Sequence, residues 1–255
     1  QQFVPVEKSA YKDEVGGYTK ARKILVLGKR ETQVSGTALQ AVYTMPGKAT
    51  IKTTGDAKRL QIMAEEMDPE LLVRTVPRLD HNAYLYAKFV LPKTSSPLLG
   101  GQVSLLRDGI LVGNGDLPQL APGEDMELGF GADERVKVKR VVSEDKKGET
   151  GTFTTSYMEE RSYTITVKNL HVHPVQLQVI DRMPGPMHQD IKVDFTVTKG
   201  GEPTMKDVND RRGTMLWQMS AAPDEEKSLA FGYRITGPRD KPLQYQVFSD
   251  DDIIA

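Results

Sequence analysis

Apolar and polar residues alternate along much of the chain, most clearly in its second half. Tyr163, Ile165 and Val167 alternate with polar residues, which is the two-residue period of a half-buried β-strand. The same period recurs at 175–179, 191–198 and 229–235. Helical periodicity is scarce, so the pattern predicts an all-β protein.

The first half of the chain shows similar strands with a less regular alternation. Its apolar runs are short and end at glycine, proline or acidic residues, as expected of strands joined by turns. The runs are KILVLG, ATIKTT, RLQIMA, ELLVRTV, AYLYAKFVL, GQVSLLRDGILVG, DMELGF and RVKVKRVV. Asp108 and Gly109 interrupt the sixth run, and an Asp-Gly pair tolerates the positive φ angles of a type I′ turn. We therefore predict a hairpin from about Val103 to Val112.

Strands at this spacing, with turn signals between them, indicate β-sandwiches rather than alternating strands and helices. A polar, glycine-bearing stretch, SEDKKGETGTFTTS, is typical of a boundary or a long exposed loop. We predict two β-sandwich-like domains of antiparallel strands, divided near Gly148, of which the second is immunoglobulin-like. The segments are 1–147, including an irregular lead-in at 1–20, then 148–242, and finally 243–255 as a tail or edge strand.

Charge and cysteine content narrow the classes of function. The chain carries 34 Lys plus Arg against 35 Asp plus Glu, so no single-sign field favours nucleic acid or an anionic membrane as a partner. It has no cysteine, which removes disulfides, thiolate zinc sites and cysteine nucleophiles. No apolar run reaches the roughly 18 residues of a transmembrane helix. The start, QQFVPVEKSA, lacks a signal-peptide pattern, so we expect any signal peptide to lie upstream.

Three longer stretches carry a family resemblance. They are GQVSLLRDGILVGNGDLPQLAPGEDMELGFGADERVKVKR, RSYTITVKNLHVHPVQLQVIDRMP and GTMLWQMSAAPDEEKSLAFGYRITGPRD. Together they resemble the C-terminal domain of unknown function in the mucoidy-inhibitor (MuiA-like) family of Gram-negative envelope proteins. The resemblance runs from about Ala41 to Lys241, and its motifs are specific in combination rather than singly.

This resemblance implies a location in the periplasm or cell envelope and a link to exopolysaccharide production. It also implies a small N-terminal domain and a helical coiled coil ahead of this module. The family label names no reaction, so the resemblance supplies no catalytic residue. The partners we expect are another envelope protein, the missing N-terminal and coiled-coil part of the same polypeptide, or a polysaccharide.

Three of the four histidines lie close in sequence and raise the question of a metal site. His171 and His173 are one residue apart, which puts both rings on one face of a strand, and His188 is a possible third ligand. The pair falls between two predicted strands, where a solvated hairpin tip is expected. The strand VQLQVID separates this pair from His188 by some 20 Å at about 3.3 Å per residue, too far for shared zinc ligation. We therefore expect loop histidines and no metal.

Acidic and glycine-rich stretches offer weaker candidates. GFGADE, at 129–134, lacks the GxGxxG spacing of a phosphate cradle and carries acidic side chains, so we expect a turn or bulge. A hydrolase would need two carboxylates at a defined gap, and several lie close in sequence. These are Glu124, Asp125, Glu127, Asp133 and Glu134. Asp181, at a strand end, is expected to accept backbone N–H bonds that fix a corner.

Aromatic side chains in predicted strands could form a sugar-binding surface. The candidates are Tyr84, Tyr86, Trp217 and Tyr233. Aromatics make up only 7% of residues, so filling the core is the competing role, above all for Trp217 with its apolar neighbours.

We expect a non-enzymatic module for protein interaction or scaffolding, without a cofactor. The first alternative is a carbohydrate-binding module, and the second is a hydrolase whose site is assembled from dispersed residues. An interaction module should present an exposed apolar patch or an edge strand open to a partner strand.

Overall fold

The computed structural model describes residues 64, 66–150, 156–186 and 188–238, with four short paired segments at 24–25, 33–34, 43–44 and 245–246. Within these residues the regular secondary structure is almost entirely β-strand and includes no α-helix, which confirms the predicted all-β class. The strands are β1 (Ile24–Leu25), β2 (Gln33–Val34), β3 (Tyr43–Thr44), β4 (Glu66–Met67), β5 (Glu70–Thr75), β6 (Ala83–Val90), β7 (Gly101–Arg107), β8 (Ile110–Leu117), β9 (Asp125–Ala132), β10 (Val136–Thr150), β11 (Ser156–Asn169), β12 (Val175–Arg182), β13 (Gly185–Pro186), β14 (Lys192–Lys199), β15 (Met205–Lys206), β16 (Thr214–Ala221), β17 (Glu226–Pro238) and β18 (Tyr245–Gln246). A short 3₁₀ turn, Val208–Asp210, lies between β15 and β16.

Two sheets form a sandwich. The larger has six strands in the order β15-β16-β12-β5-β6-β9, and the smaller has four in the order β10-β11-β17-β14. Neighbouring strands are antiparallel except β12 and β5, which run parallel. Two-stranded pairs join β1 with β4, β2 with β3, β7 with β8, and β13 with β18.

The main hydrophobic core lies between these two sheets. Trp217 of the six-stranded sheet stacks on Phe231 of the four-stranded sheet, with ring centroids 5.1 Å apart. Ile165 of the four-stranded sheet and Val179 of the six-stranded sheet both belong to this core. Both are fully buried, as their places in the alternating pattern predicted. A second, smaller cluster is formed by residues of β4, β6, β9 and the connections between β6 and β7 and between β8 and β9. It contains Met67, Phe89, Leu91, Leu120 and Met126.

The structure differs from the predicted division near Gly148. Gly148 lies inside β10, opposite Met158 of β11, and strands from before and after it share one sheet. The main core likewise takes Val73, Ala83 and Val136 from the first part of the chain and its other buried members from the second. Apart from its last residue, the described part of the predicted boundary stretch lies in β10, which is an edge strand of its sheet. An edge strand exposes much of its surface and can carry many polar residues, so its composition resembles that of a linker.

The predicted hairpin is confirmed. Arg107 pairs with Ile110 across a two-residue turn, in which Asp108 and Gly109 have φ angles of 51° and 80°. Both central residues thus have positive φ, as a type I′ turn requires.

Other predicted strands fall at the expected places, from ELLVRTV in β5 to 229–235 in β17. The run ATIKTT, all but the last residue of RLQIMA, and the lead-in at 1–20 lie outside the described residues. Within the predicted tail, β18 pairs with β13.

Candidate functional site

The tip of the β7–β8 hairpin carries large aliphatic side chains in solvent. Ile110 is 70% exposed, Leu111 57% and Leu106 54%, and Val112 beside them is also exposed. Successive residues of a strand point to opposite faces, so Ile110 and Leu111 place apolar surface on both sides of the hairpin. Exposed apolar surface of this kind commonly marks an interaction site.

The base of the same hairpin is anchored. Leu105 of β7 is buried, and Leu117, the last residue of β8, packs against the smaller hydrophobic cluster. Leu98 and Leu120 form a backbone bridge with two 2.9 Å hydrogen bonds just beyond the strands. The hairpin is therefore held to the rest of the chain by its buried residues, while the aliphatic side chains next to its turn stay exposed. The sequence signal was available in LLRDGILV, where apolar residues flank the turn on both sides without alternation.

The edges of the two sheets are poorly suited to adding a partner strand. β10 and β14, the edges of the four-stranded sheet, are each interrupted by a register shift, at Val142/Glu144 and at Val197/Lys199. β15, at one edge of the six-stranded sheet, has only two residues, and β9, at the other edge, has a register shift in its pairing with β6. Bulges and very short edge strands are known means of preventing edge-to-edge pairing. An interaction module was expected to present either an exposed apolar patch or an open edge strand. Of these two features, the described structure favours the apolar patch.

His171 lies in the turn between β11 and β12, as predicted, but the prediction that its ring is solvated is wrong. Its ring is buried, and its Nε2 lies 2.9 Å from Oδ2 of Asp133, also buried, in the connection between β9 and β10. Asp133 also accepts a hydrogen bond from the backbone N–H of Arg135 through Oδ1. The hydrogen-bond partner of this buried ring is thus a carboxylate 38 residues away in sequence.

Asn169 completes this corner from the end of β11. Its side-chain amide donates to the backbone carbonyls of His173, Ala221 and Ala222 at 2.9–3.0 Å. Its Oδ1 accepts the backbone N–H of His171 at 2.9 Å. These bonds tie the β11–β12 turn to the end of β16, so the polar groups here satisfy backbone groups.

The three histidines are not assembled into one site. His173 stacks on His171 with ring centroids 4.7 Å apart, while His188 lies exposed in a separate turn. Burial lowers the pKa of His173, which favours its neutral form. Among the described residues, no group of three or more His, Cys, Asp or Glu side chains is arranged to hold a metal ion.

Asp181 is completely buried in β12 and joins the two sheets. Its Oδ2 accepts a hydrogen bond from Nε of Arg140 in β10 at 2.9 Å. Its Oδ1 accepts the backbone N–H of the next residue in β12, Arg182, at 2.7 Å, so one backbone bond of the predicted kind is present. Burial raises the pKa of Asp181, although the charge of Arg140 opposes this effect. Sequence reasoning missed Arg140, whose guanidinium also stacks over the ring of Tyr163 at 3.8 Å.

Four of the five candidate carboxylates engage separate partners. Asp125 pairs with Lys88, Glu127 with Arg74, and Asp133 with His171. Glu124 accepts the backbone N–H of Ala121 at 2.7 Å, and Glu134 is exposed. The stretch GFGADE forms the end of β9, where a register shift opposite β6 confirms the predicted bulge.

The four candidate aromatic residues do not share a surface. Trp217 and Tyr233 are buried in the main core, whereas Tyr84 and Tyr86 lie on the outer face of β6. The guanidinium of Arg74 covers the ring of Tyr86 at 4.4 Å. Tyr84 is 36% exposed, and its hydroxyl donates to the carboxylate of Asp80.

Comparison with known proteins gives the chain a family. Residues 5–239 match the family described as a domain of unknown function (DUF4139). The chain belongs to the DUF4139 family. A DUF4139 domain is consistent with the resemblance to the mucoidy-inhibitor proteins, which neither the family match nor the relative below names.

One relative of this DUF4139 chain is a Caenorhabditis elegans protein, Protein F37C4.5. The two are 22% identical over 221 residues, which cover 84% of this chain and 39% of the worm protein. The chain thus spans well under half of that relative's length. No solved structure matches the chain. In the part of the chain that the structure describes, no helix has the length and apolarity needed to cross a bilayer.

Proposed function

We propose that this DUF4139 chain is a non-enzymatic protein-interaction module and that the tip of the β7–β8 hairpin is its contact surface. The observation that carries the proposal is the exposure of Leu106, Ile110 and Leu111 on both faces of a hairpin with an anchored base. Apolar residues on both faces fit a groove that encloses the tip better than a flat surface that covers one side.

A protein groove suits this tip better than a lipid surface. Asp108 lies at the apex of the turn, where insertion into a bilayer would desolvate its carboxylate. The chain's net charge of −1 also gives no general attraction to anionic lipids. We therefore expect a partner whose groove is aliphatic inside and polar at its rim.

The proposal that the module is not an enzyme rests on how its polar groups are used. Asp133, His171, Asn169 and Asp181 bind groups within the fold, and Glu124, Asp125 and Glu127 each take a separate partner. Catalytic sites instead require acids, bases or nucleophiles that converge on a space for a substrate. This arrangement supports binding rather than turnover as the role of the chain.

The resemblance to mucoidy-inhibitor proteins supports a finer proposal. We place the chain in the periplasm or cell envelope and link it to exopolysaccharide production. The partner is then another envelope protein, the N-terminal and coiled-coil part that the resemblance implies, or a polysaccharide.

Affinity capture with matched variants tests the contact surface. Cell-envelope extract is passed over three immobilised proteins: the full wild-type chain, a hairpin variant carrying both Ile110→Asp and Leu111→Asp, and a control variant carrying Val172→Asp. Val172 is 85% exposed in the β11–β12 turn and serves as the control for adding one acidic residue at an apolar surface position. We expect the wild type and the Val172 variant to retain the same partner in a fixed ratio, and the hairpin variant to lose it at least tenfold. Equal retention by all three proteins would exclude the hairpin as the contact surface.

A further inference from the structure

A row of polar side chains crosses the outer face of the six-stranded sheet. Strand register places Gln218, Gln178, Arg74 and Tyr84 side by side on β16, β12, β5 and β6. We refer to these four residues as the polar row. At about 4.8 Å per strand the row is roughly 14 Å long. It is separate from the hairpin tip and uses none of its residues.

Arg74 organises the centre of the polar row without leaving a free charge. Its two terminal nitrogens donate to Glu127 at 2.6 and 2.9 Å, and its Nε donates to Oε1 of Gln178 at 2.9 Å. Because a guanidinium can only donate, this bond fixes the orientation of the Gln178 amide, whose NH₂ group is at the other end. The charge of Arg74 is matched by Glu127, so the row offers hydrogen-bonding groups rather than a net field.

Tyr84 gives the row a fixed aromatic end. Its hydroxyl is bonded to Asp80, a contact that raises the pKa of Tyr84 and lowers that of Asp80. Asp80 is itself held by the backbone and side-chain N–H groups of Asn82. The ring is thus positioned before any ligand arrives, which reduces the entropic cost of binding.

We propose that the polar row binds a neutral oligosaccharide lying across the strands. Sugar hydroxyls both donate and accept hydrogen bonds, as do the amides of Gln178 and Gln218 and the exposed neighbours Gln176 and Ser220. An exposed tyrosine ring complements the apolar C–H face of a pyranose. An anionic ligand would need an unmatched cation, whereas Arg74 is already paired with Glu127.

Titration of the full chain with defined sugars tests the proposal. The probes are cellohexaose, maltohexaose and laminarihexaose, with hexagalacturonate as the anionic comparison, followed by calorimetry and by backbone amide NMR shifts. We expect at least one neutral hexasaccharide to bind, with shifts concentrated on β5, β6, β12 and β16. Binding should weaken at least tenfold in Tyr84→Ala and severalfold in Gln218→Ala.

Tyr157→Ala provides the matched control, because Tyr157 is 40% exposed but lies on β11 of the other sheet. This variant should bind like the wild type. Three results would each overturn the proposal: no binding of any neutral hexasaccharide, unchanged binding in both row variants, or preference for hexagalacturonate. Loss of hairpin-dependent capture would leave this proposal intact, since the two surfaces share no residue.

Discussion

At the scale of single residues, the ion pair between Arg140 and Asp181 places two charges where little water reaches them. Asp181 is fully buried, and Arg140 keeps only 16% of its side chain exposed. Two charges taken out of water gain little over an apolar pair, but removing one leaves the other uncompensated. The pair therefore constrains how the two sheets meet more than it adds to their net stability.

Replacing Arg140 by Met should destabilise the protein by about 3–5 kcal/mol near pH 8. An acid whose pKa is higher in the folded than in the unfolded protein contributes more stability at low pH and loses it as pH rises through its folded pKa. Burial already raises the pKa of Asp181, and loss of Arg140 should raise it further. The deficit of the variant should therefore be smaller at pH 5 than at pH 8, as measured by urea unfolding.

Arg234→Met is the control for this substitution. Arg234 is 53% exposed and pairs with Glu160 at 3.2 Å on the surface of the four-stranded sheet. Exposed pairs contribute up to about 1 kcal/mol, so we expect a small effect at both pH values. A deficit of Arg140→Met that grew on acidification would contradict the role assigned to Asp181.

At the scale of elements, the pairing of β11 with β17 depends on a glycine. Gly232 lies opposite Ser162, and a Cβ added there would lie 2.7 Å from the carbonyl oxygen of Arg161 and 2.6 Å from Oγ of Ser162. One obstruction is backbone, which cannot rotate away as a side chain can. The close approach of these two strands therefore requires the absence of a side chain at this position.

Gly232→Ala should lower the free energy of unfolding by about 1–3 kcal/mol through overpacking. Gly101→Ala in β7 is the matched control, because an added Cβ there meets nothing within 4 Å. We expect the control to change stability by less than about 0.5 kcal/mol. Thermal unfolding of both variants measures the difference, and similar melting temperatures for the two would show that β11 and β17 can separate without cost.

At the scale of the whole molecule, strands distant in sequence share one sheet. Gln178 in β12 lies beside Arg74 in β5, 104 residues earlier, in the sole parallel pairing among the described strands. In the other sheet, β10, most of which precedes Gly148, pairs with β11, which follows it. The main core therefore needs both sides of Gly148 to close.

A fragment of residues 148–255 should fail to fold on its own. It lacks β5, β6, β9 and most of β10, and with them Val73, Ala83 and Val136 of the main core. We expect the full chain to show near-ultraviolet circular dichroism and a cooperative thermal transition, and the fragment to show neither. A cooperative transition in the fragment would support an independent second domain.

The alternating pattern determined which residues form strands and which of their faces are buried. Period-two alternation and the positive φ angles of Asp108 and Gly109 are local properties, so they can be read without knowing any partner. The pattern specifies a face but not a neighbour. Any apolar face can pack against any other, and for that reason the boundary near Gly148 looked plausible from composition.

Only the tertiary structure decided which distant groups meet. His171 is buried because Asp133 reaches it from another connection. Arg74 joins Gln178 and Glu127 because β5 lies beside β12 and only β6 separates it from β9. Burial and hydrogen bonding depend on distances in space, and these arise only when strands far apart in sequence pair and two sheets close over one core.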